Sequence, residues 1–323
     1  MFSEIEITWF HWVAFIACIL VFLALDLGVF HRKAHIVRFR EALSWTVVWC
    51  VLALLFAFGL KFWRGEKEAL EFLTGYLIEL SLSMDNVFVI ALIFGYFHIP
   101  SERQHRVLFW GILGALLMRG AMIGAGVALI NLLHWLLWVF GAFLIFSGIK
   151  MLLVETKMDP EQSRVVRWMR KVYPVAPHLD GDKFLTVWNG KLALTPLSLV
   201  LVLVETTDLV FAIDSIPAIF AVTTKPFIVF TSNVFAILGL RSLYFVLAGA
   251  INYFRYLKAG LSIVLVSVGV KMLLDPHDRH PPLWFQIEIP ITISLLAIAA
   301  IIVISILMSV MVTWRERKRG EKI

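Results

Sequence analysis

An all-α polytopic membrane protein is the fold class this 323-residue sequence predicts. About nine transmembrane helices are expected, with the N-terminus outside, the C-terminus inside and two inverted three-helix repeats. Three observations predict it. Apolar runs long enough to cross a bilayer recur along the chain, basic residues collect in alternate loops, and three short motifs of one half recur in order in the other. Hydrophobic residues make up 60% of the chain and charged residues 16%, whereas a soluble domain has roughly half and a quarter, so the soluble classes are excluded.

The apolar runs lie at about 9–30, 42–63, 70–96, 107–130, 132–153, 193–222, 226–251, 257–274 and 285–313. The first follows an acidic, aromatic start, MFSEIEITWFHW, and so reads as a retained span rather than a cleaved signal. Threading nine spans from an outside N-terminus puts HRKAHIVRFR, SERQHR, the segment from Lys157 to Lys191, FRYLK and the tail WRERKRGEKI on one side. KFWRGEKEALE and DPHDRHPP fall on the other. The basic side is cytoplasmic by the positive-inside rule, and the inner (plasma) membrane is the expected location. That distribution accounts for the net charge of +6 without nucleic acid, for which the chain has no basic-aromatic module. Cys18 and Cys50 lie within apolar runs and read as small buried hydrophobes.

The chain accordingly divides into two N-terminal spans (1–69), a three-helix unit (70–154), a cytoplasmic linker (155–192), a second three-helix unit (193–275), and a last span with a basic tail (276–323). The linker carries Pro160, Pro174 and Pro177, a helical stretch RVVRWMRKV, and FLTVWNGKLAL, whose Asn-Gly pair predicts a hairpin turn. GILGALLMR at 111–119 recurs as AILGLRSLY at 236–244, SGIKMLL at 147–153 as VGVKMLL at 268–274, and DNVFVIA at 85–91 as DLVFAID at 208–214. Units of three spans enter the membrane from opposite sides, which is the inverted repeat of many secondary transporters, with the binding site near the midplane between repeats.

ELSLSMDNVF in the third span and ETTDLVFAIDSIP in the sixth place acids in apolar surroundings: Glu79 and Asp85, then Glu205, Asp208 and Asp214. An Asp at a helix centre opposes insertion by about 2.5–3.5 kcal/mol, so these groups require one another, a cavity or a cation. Glu79, Ser83 and Asn86 share one helix face, with Asp85 roughly 100° from Asn86. Glu205, Asp208 and Ser215 share a face of the sixth span, while Thr207 and Asp214 lie on another. An unbroken helix therefore aims the acids apart. Pro217 is expected to kink or unwind it near Asp214–Pro217, freeing carbonyls as further ligands; otherwise the acids form two sub-sites.

Carboxylates, amides and hydroxyls without His or Cys suit a hard divalent cation such as Mn²⁺ or Mg²⁺. The expected metal ligands are Glu79, Asp85, Asn86, Glu205, Asp208 and Asp214, with Asp26, Ser83, Ser215 and Asn233 as accessory positions. Met84 reads as packing, and Asn131 is a weaker amide candidate. Arg119 and Arg241 are structural counter-charges or gate elements; two arginines cannot neutralise five carboxylates, so a cation or protons must supply the rest. Lys150 and Lys271 lie near span ends and are expected to snorkel. The loop histidines of HRKAH and DPHDRH read as solvated.

LTGYLIELSLSMDNVFV, with LVLVETTDLVFAIDSIPAIFAVTTKPFIVFTSNVFAILGLRSLYF, resembles the TerC family of integral membrane proteins over residues 40–275, and the length and span pattern resemble its Alx branch. The resemblance implies a helical membrane fold related to the LysE-type transporters, and a link to Mn²⁺ export, manganese homeostasis and tellurium resistance. It implies that Glu79, Asp85, Asn86, Glu205, Asp208 and Asp214 are the functional residues, and it favours manganese over magnesium. The expected partners are the lipid bilayer, a divalent cation as cargo and protons, without a tightly bound cofactor; a homo-oligomer is compatible with the sequence.

A secondary transporter exporting Mn²⁺ by proton exchange is thus the leading expectation, and a non-transporting membrane scaffold in metal or tellurium resistance the alternative. An enzyme is not expected. The only Gly-Asp pair, Gly181–Asp182, lies in the linker rather than in a span, and no Walker A sequence is present.

Overall fold

The computed structural model describes residues 7–25, 39–153, 163–248, 256–275, 284 and 286–318. Among them are ten α-helices and one hairpin: α1 (Trp9–Leu25), α2 (Phe39–Trp63), α3 (Glu66–Tyr96), α4 (Ser101–Leu132), α5 (Leu136–Leu153), α6 (Arg164–Val172), β1 (Leu185–Trp188), β2 (Lys191–Leu194), α7 (Pro196–Phe220), α8 (Pro226–Ala248), α9 (Leu257–Leu274) and α10 (Ile291–Lys318). Eight are long and apolar enough to cross a membrane; α1 is apolar but has 17 residues within the described part.

Local chemistry explains the boundaries. Gly65, at φ 97°, takes the left-handed conformation that separates α2 from α3, and Pro196 opens α7, where its missing amide hydrogen is not needed. The Ser163 hydroxyl caps α6 by accepting from the Val165 amide at 3.3 Å, and Arg170 and Lys171 suit the negative end of that helix. Asn189 and Gly190 both have positive φ, so the expected two-residue turn joins β1 to β2.

Burial grades the spans. In α8, 83% of the membrane-length window is buried, against 17% in α2, so α8 is a central span and α2 a lipid-facing one. Phe15, Phe56, Phe72 and Phe235 pack an aromatic core among α1, α2, α3 and α8. A second core joins α5, α7, α9 and α10, and a third gathers the linker end around Phe94, Leu197 and Tyr244. Val166 and Met169 on α6 are buried, Val166 in that third core.

The two three-helix units meet as inverted repeats. Gly75 lies against Ile219 while Asn86 bonds Asp208, so α3 and α7 run antiparallel. Gln104 receives a hydrogen bond from Tyr244 while Arg119 bonds Asn233, so α4 and α8 do too. Gly141 faces Gly269 while Gly148 faces Ser262, so α5 and α9 follow suit. Each helix thus crosses its own counterpart in the opposite sense, as two odd-numbered units must.

Three expectations change. Cys18 is exposed and Cys50 half-buried, so neither is the buried small hydrophobe that its apolar run suggests. α7 is helical through Pro217, not unwound, because only its last turn follows the proline and little of the ladder is lost. Lys271 is buried at 7% exposure near Glu71 and Asp275 rather than snorkelling; Lys150 is exposed as expected.

The α5–α9 contact depends on absent side chains. A Cβ at Gly269 would lie 2.7 Å from the Gly141 carbonyl oxygen, whereas one at Gly124 would meet nothing within 4 Å. Gly269→Ala should therefore cost about 1–3 kcal/mol through overpacking. Gly124→Ala should be neutral or gain up to about 1 kcal/mol from helix propensity. Thermal unfolding of the purified protein in detergent checks both, and a Gly269→Ala midpoint at or above the parent's would refute the contact.

Candidate cation-binding site

The centre of the protein is polar because α3, α4, α7 and α8 each turn a polar residue toward the same point. Arg119 on α4 is 2% exposed. Its Nε and Nη2 donate to the two oxygens of Asp208 on α7 at 3.2 and 2.8 Å, a fork-on-carboxylate pair. Its Nη1 donates to Asn233 Oδ1 on α8 at 2.9 Å and to Ser215 Oγ on α7 at 3.4 Å, and also forms an ion pair with Glu79 on α3. Asn86 Nδ2 donates to Asp208 Oδ1 at 2.8 Å. Asp208 and Ser215, seven residues apart, reach Arg119 together because two helical turns restore the same face.

Acceptors exceed donors here. Glu79 Oε1 meets the Arg119 guanidinium, but Oε2 of this fully buried side chain has no hydrogen-bond partner, and Ser83 Oγ, Asn86 Oδ1 and Glu205 Oε2 are also buried without one. Glu205 lies one turn before Asp208 on α7 and sits over Gly114 of α4, where an added methyl group would overlap its carboxylate. Glu79, Glu205 and Asp208 against the single Arg119 leave two negative charges when all are ionised.

The remaining candidates are elsewhere. Asp214 accepts from Ser147 on α5 at 2.9 Å, on the face of α7 turned away from Asp208. Asp85 is half-buried on α3 and feels the charge of Lys258 on α9. The expected six-ligand set is therefore split, because an unbroken α3 and α7 aim Asp85 and Asp214 away from the group around Asp208. Among the described residues, no three His, Cys, Asp or Glu side chains converge as a metal centre. Arg241 is buried on α8 but is not among the partners of Arg119, Asn131 is exposed, and Asp26 lies outside the described residues. A cavity of about 860 Å³ at the linker end, between Phe97, His98, Arg170 and Pro196, is lined by none of the candidates.

Residues 64–318 match the integral membrane protein TerC family, a span that holds every helix from α3 to α10 and the whole polar centre. The chain belongs to the TerC family. An uncharacterized membrane protein of Myxococcus xanthus is 56% identical to this TerC protein over 272 residues, covering 84% of this chain and 85% of the relative. A protein of Escherichia coli (strain K12), named Alx and described as a membrane-bound redox modulator, is 44% identical over 322 residues, covering 96% and 97%. A membrane protein of Rickettsia bellii is 42% identical over 293 residues, covering 90% and 97%. No solved structure gives a significant match.

This TerC protein has a second buried polar group that the sequence reading passed over. Glu68 and Glu71, at the start of α3, are 6% and 3% exposed. Arg64 holds Glu68 at 2.8 and 2.9 Å, Lys225 reaches Glu68 at 3.0 Å and Glu71 at 3.4 Å, and Thr223 donates to Glu71 at 2.9 Å. The mixed charge of KFWRGEKEALE suggested an ordinary loop. The available signal was periodicity: Glu68, Glu71, Gly75, Glu79, Ser83 and Asn86 continue one face at three- and four-residue steps, a polar stripe from one end of α3 to its middle.

Removing one partner of the central pair should be costly in this TerC protein. Asp208→Ala leaves the Arg119 guanidinium buried without its fork and is expected to destabilise by about 3–5 kcal/mol. Replacing Asp180, a half-exposed linker residue that accepts from Thr186 on the hairpin, should lower stability far less. Unfolding midpoints of the two variants in one detergent distinguish them, and equal midpoints would refute the central role of the pair.

Proposed function

We propose that the protein is a secondary transporter that moves a divalent cation, Mn²⁺ foremost, out of the cytoplasm in exchange for protons. The observation that carries the reading is the excess of buried acceptors over donors between the two repeats, around Glu79, Asn86 and Asp208. Hard oxygen donors without thiolate or imidazole favour Mn²⁺ or Mg²⁺ over softer metals. Manganese rather than magnesium follows from the family resemblance. The charge balance supports exchange: three carboxylates against one guanidinium leave a deficit that one divalent cation or two protons neutralise. Inverted repeats supply two equivalent packings of the same elements, which is the basis of alternating access.

Glu79, Asn86 and Asp208, with Asn233, Ser215 and Ser83 beside them, form the central site in this reading. Asp85 and Asp214 act as flanking capture points, one on each repeat. The scaffold alternative leaves the central acids without a task. A thiol-based reading of the relatives' name has little support: Cys18 and Cys50 are both free, and Cys50 receives only a Tyr76 hydroxyl at 3.4 Å.

Proteoliposomes test the proposal. Glu79→Gln is expected to lower Mn²⁺ flux at least tenfold at every Mn²⁺ concentration. Asp85→Asn and Asp214→Asn should chiefly raise the half-saturating concentration. Mn²⁺ movement without an accompanying pH change would sink the proton coupling. Cells whose intracellular manganese is unaltered by Glu79→Gln, with the protein still folded, would favour the scaffold.

A further inference from the structure

The guanidinium of Arg119 lies where the cargo of the proposed transporter would bind. It touches Glu79, Asp208, Ser215 and Asn233, and these oxygens cannot serve a metal ion fully while they hold the guanidinium. A cation that takes the site must displace it. The displaced charge then needs a buried anion within reach, since a guanidinium left without one inside a membrane protein is costly.

One such anion is in place. Glu205 precedes Asp208 by three residues, about 4.5 Å along α7. It lies over Gly114, five residues before Arg119 on α4, and its Oε2 is buried without a hydrogen-bond partner. α4 and α7 run parallel here, because Gly111 lies against Val204 and Gly126 against Phe220. Helical side chains lean toward the N-terminal end of their helix, which is the direction from Arg119 to Gly114. The step from Asp208 to Glu205 is thus about one turn along α7, in the direction in which the Arg119 side chain leans. Gly114, lacking a side chain, leaves the space that the Glu205 carboxylate occupies.

We propose that Arg119 is a tethered substitute cation: it fills the Glu79–Asp208 site when cargo is absent and moves to Glu205 when a divalent cation binds. This rests on the transport reading and deepens it. Glu205 is then a positioning residue acting through Arg119, not a ligand. The empty carrier can reorient without exposing a bare pair of carboxylates, and cargo must compete with an internal cation, which disfavours weakly charged ions.

A double-mutant cycle on the full-length protein in nanodiscs, with free Mn²⁺ read by electron paramagnetic resonance, tests this. Arg119→Gln is expected to tighten Mn²⁺ binding at least tenfold while flux in proteoliposomes is lost. Glu205→Gln should weaken binding at least tenfold in the parent and less than twofold in the Arg119→Gln background. Equal weakening in both backgrounds would make Glu205 a plain ligand and overturn the proposal, as would unchanged or weaker binding by Arg119→Gln. Should Arg119→Gln not fold, Arg119→Lys, which keeps the charge but cannot fork, must still reduce the Glu205→Gln effect at least threefold; an undiminished effect overturns the proposal. A parent protein that neither binds nor moves Mn²⁺ overturns the transport reading itself. Parent flux with an additive cycle overturns only the role of Arg119.

Discussion

One buried guanidinium organises the middle of this protein. Arg119 is fixed on α4, but its contacts belong to α3, α7 and α8, so a single side chain joins the first two helices of both repeats. Burying a charge is unfavourable unless it is paired and fully hydrogen-bonded, and the forked pair with Asp208 together with the Asn233 and Ser215 oxygens meets that requirement. Apolar side chains could hold four helices together without such a cost.

The surrounding architecture keeps that crossing in place. α8 is enclosed on nearly all sides, and α5 and α9 meet backbone to backbone at Gly141 and Gly269. At one end the hairpin is sewn to the start of α7, since Thr195 donates to the carbonyls of Lys183 and Phe184. At the other, Lys225 between α7 and α8 is held by two acids of α3. The polar stripe on α3 runs from that second end to the central cluster, so both charged groups lie on one continuous line.

Much of this was legible in the sequence because it depends on periodicity. The spans, α6, the Asn189–Gly190 turn, the repeat and the shared faces of Glu79 with Asn86 and of Asp208 with Ser215 all follow from 3.6 residues per turn or from turn chemistry. What was not legible depends on partners far away in the chain. Helical spacing already set Asp85 and Asp214 on other faces than Glu79 and Asp208, but only the packing of α5 and α9 shows their neighbours, Ser147 for Asp214 and Lys258 for Asp85. Arg119 and Arg241 looked equivalent in the repeat, and it is Arg119 whose guanidinium meets Glu79 and Asp208. Pro217 suggested a break, but its closeness to the end of α7 made it harmless. Glu68 and Glu71 were missed because exposed charges beside them disguised a buried pair.

The antiparallel meeting of α3 with α7, α4 with α8 and α5 with α9 has a consequence for ancestry. If the halves arose by duplication, an ancestral three-helix protein had to insert in both directions and pair with its own mirror-oriented copy. Such a protein must be nearly indifferent to which of its ends faces the cytoplasm, so its own loops can carry little charge bias. Fusion ends that freedom. The basic segments outside the two units, HRKAHIVRFR before them and WRERKRGEKI after them, are where a fused chain could acquire a fixed direction without disturbing the symmetric core.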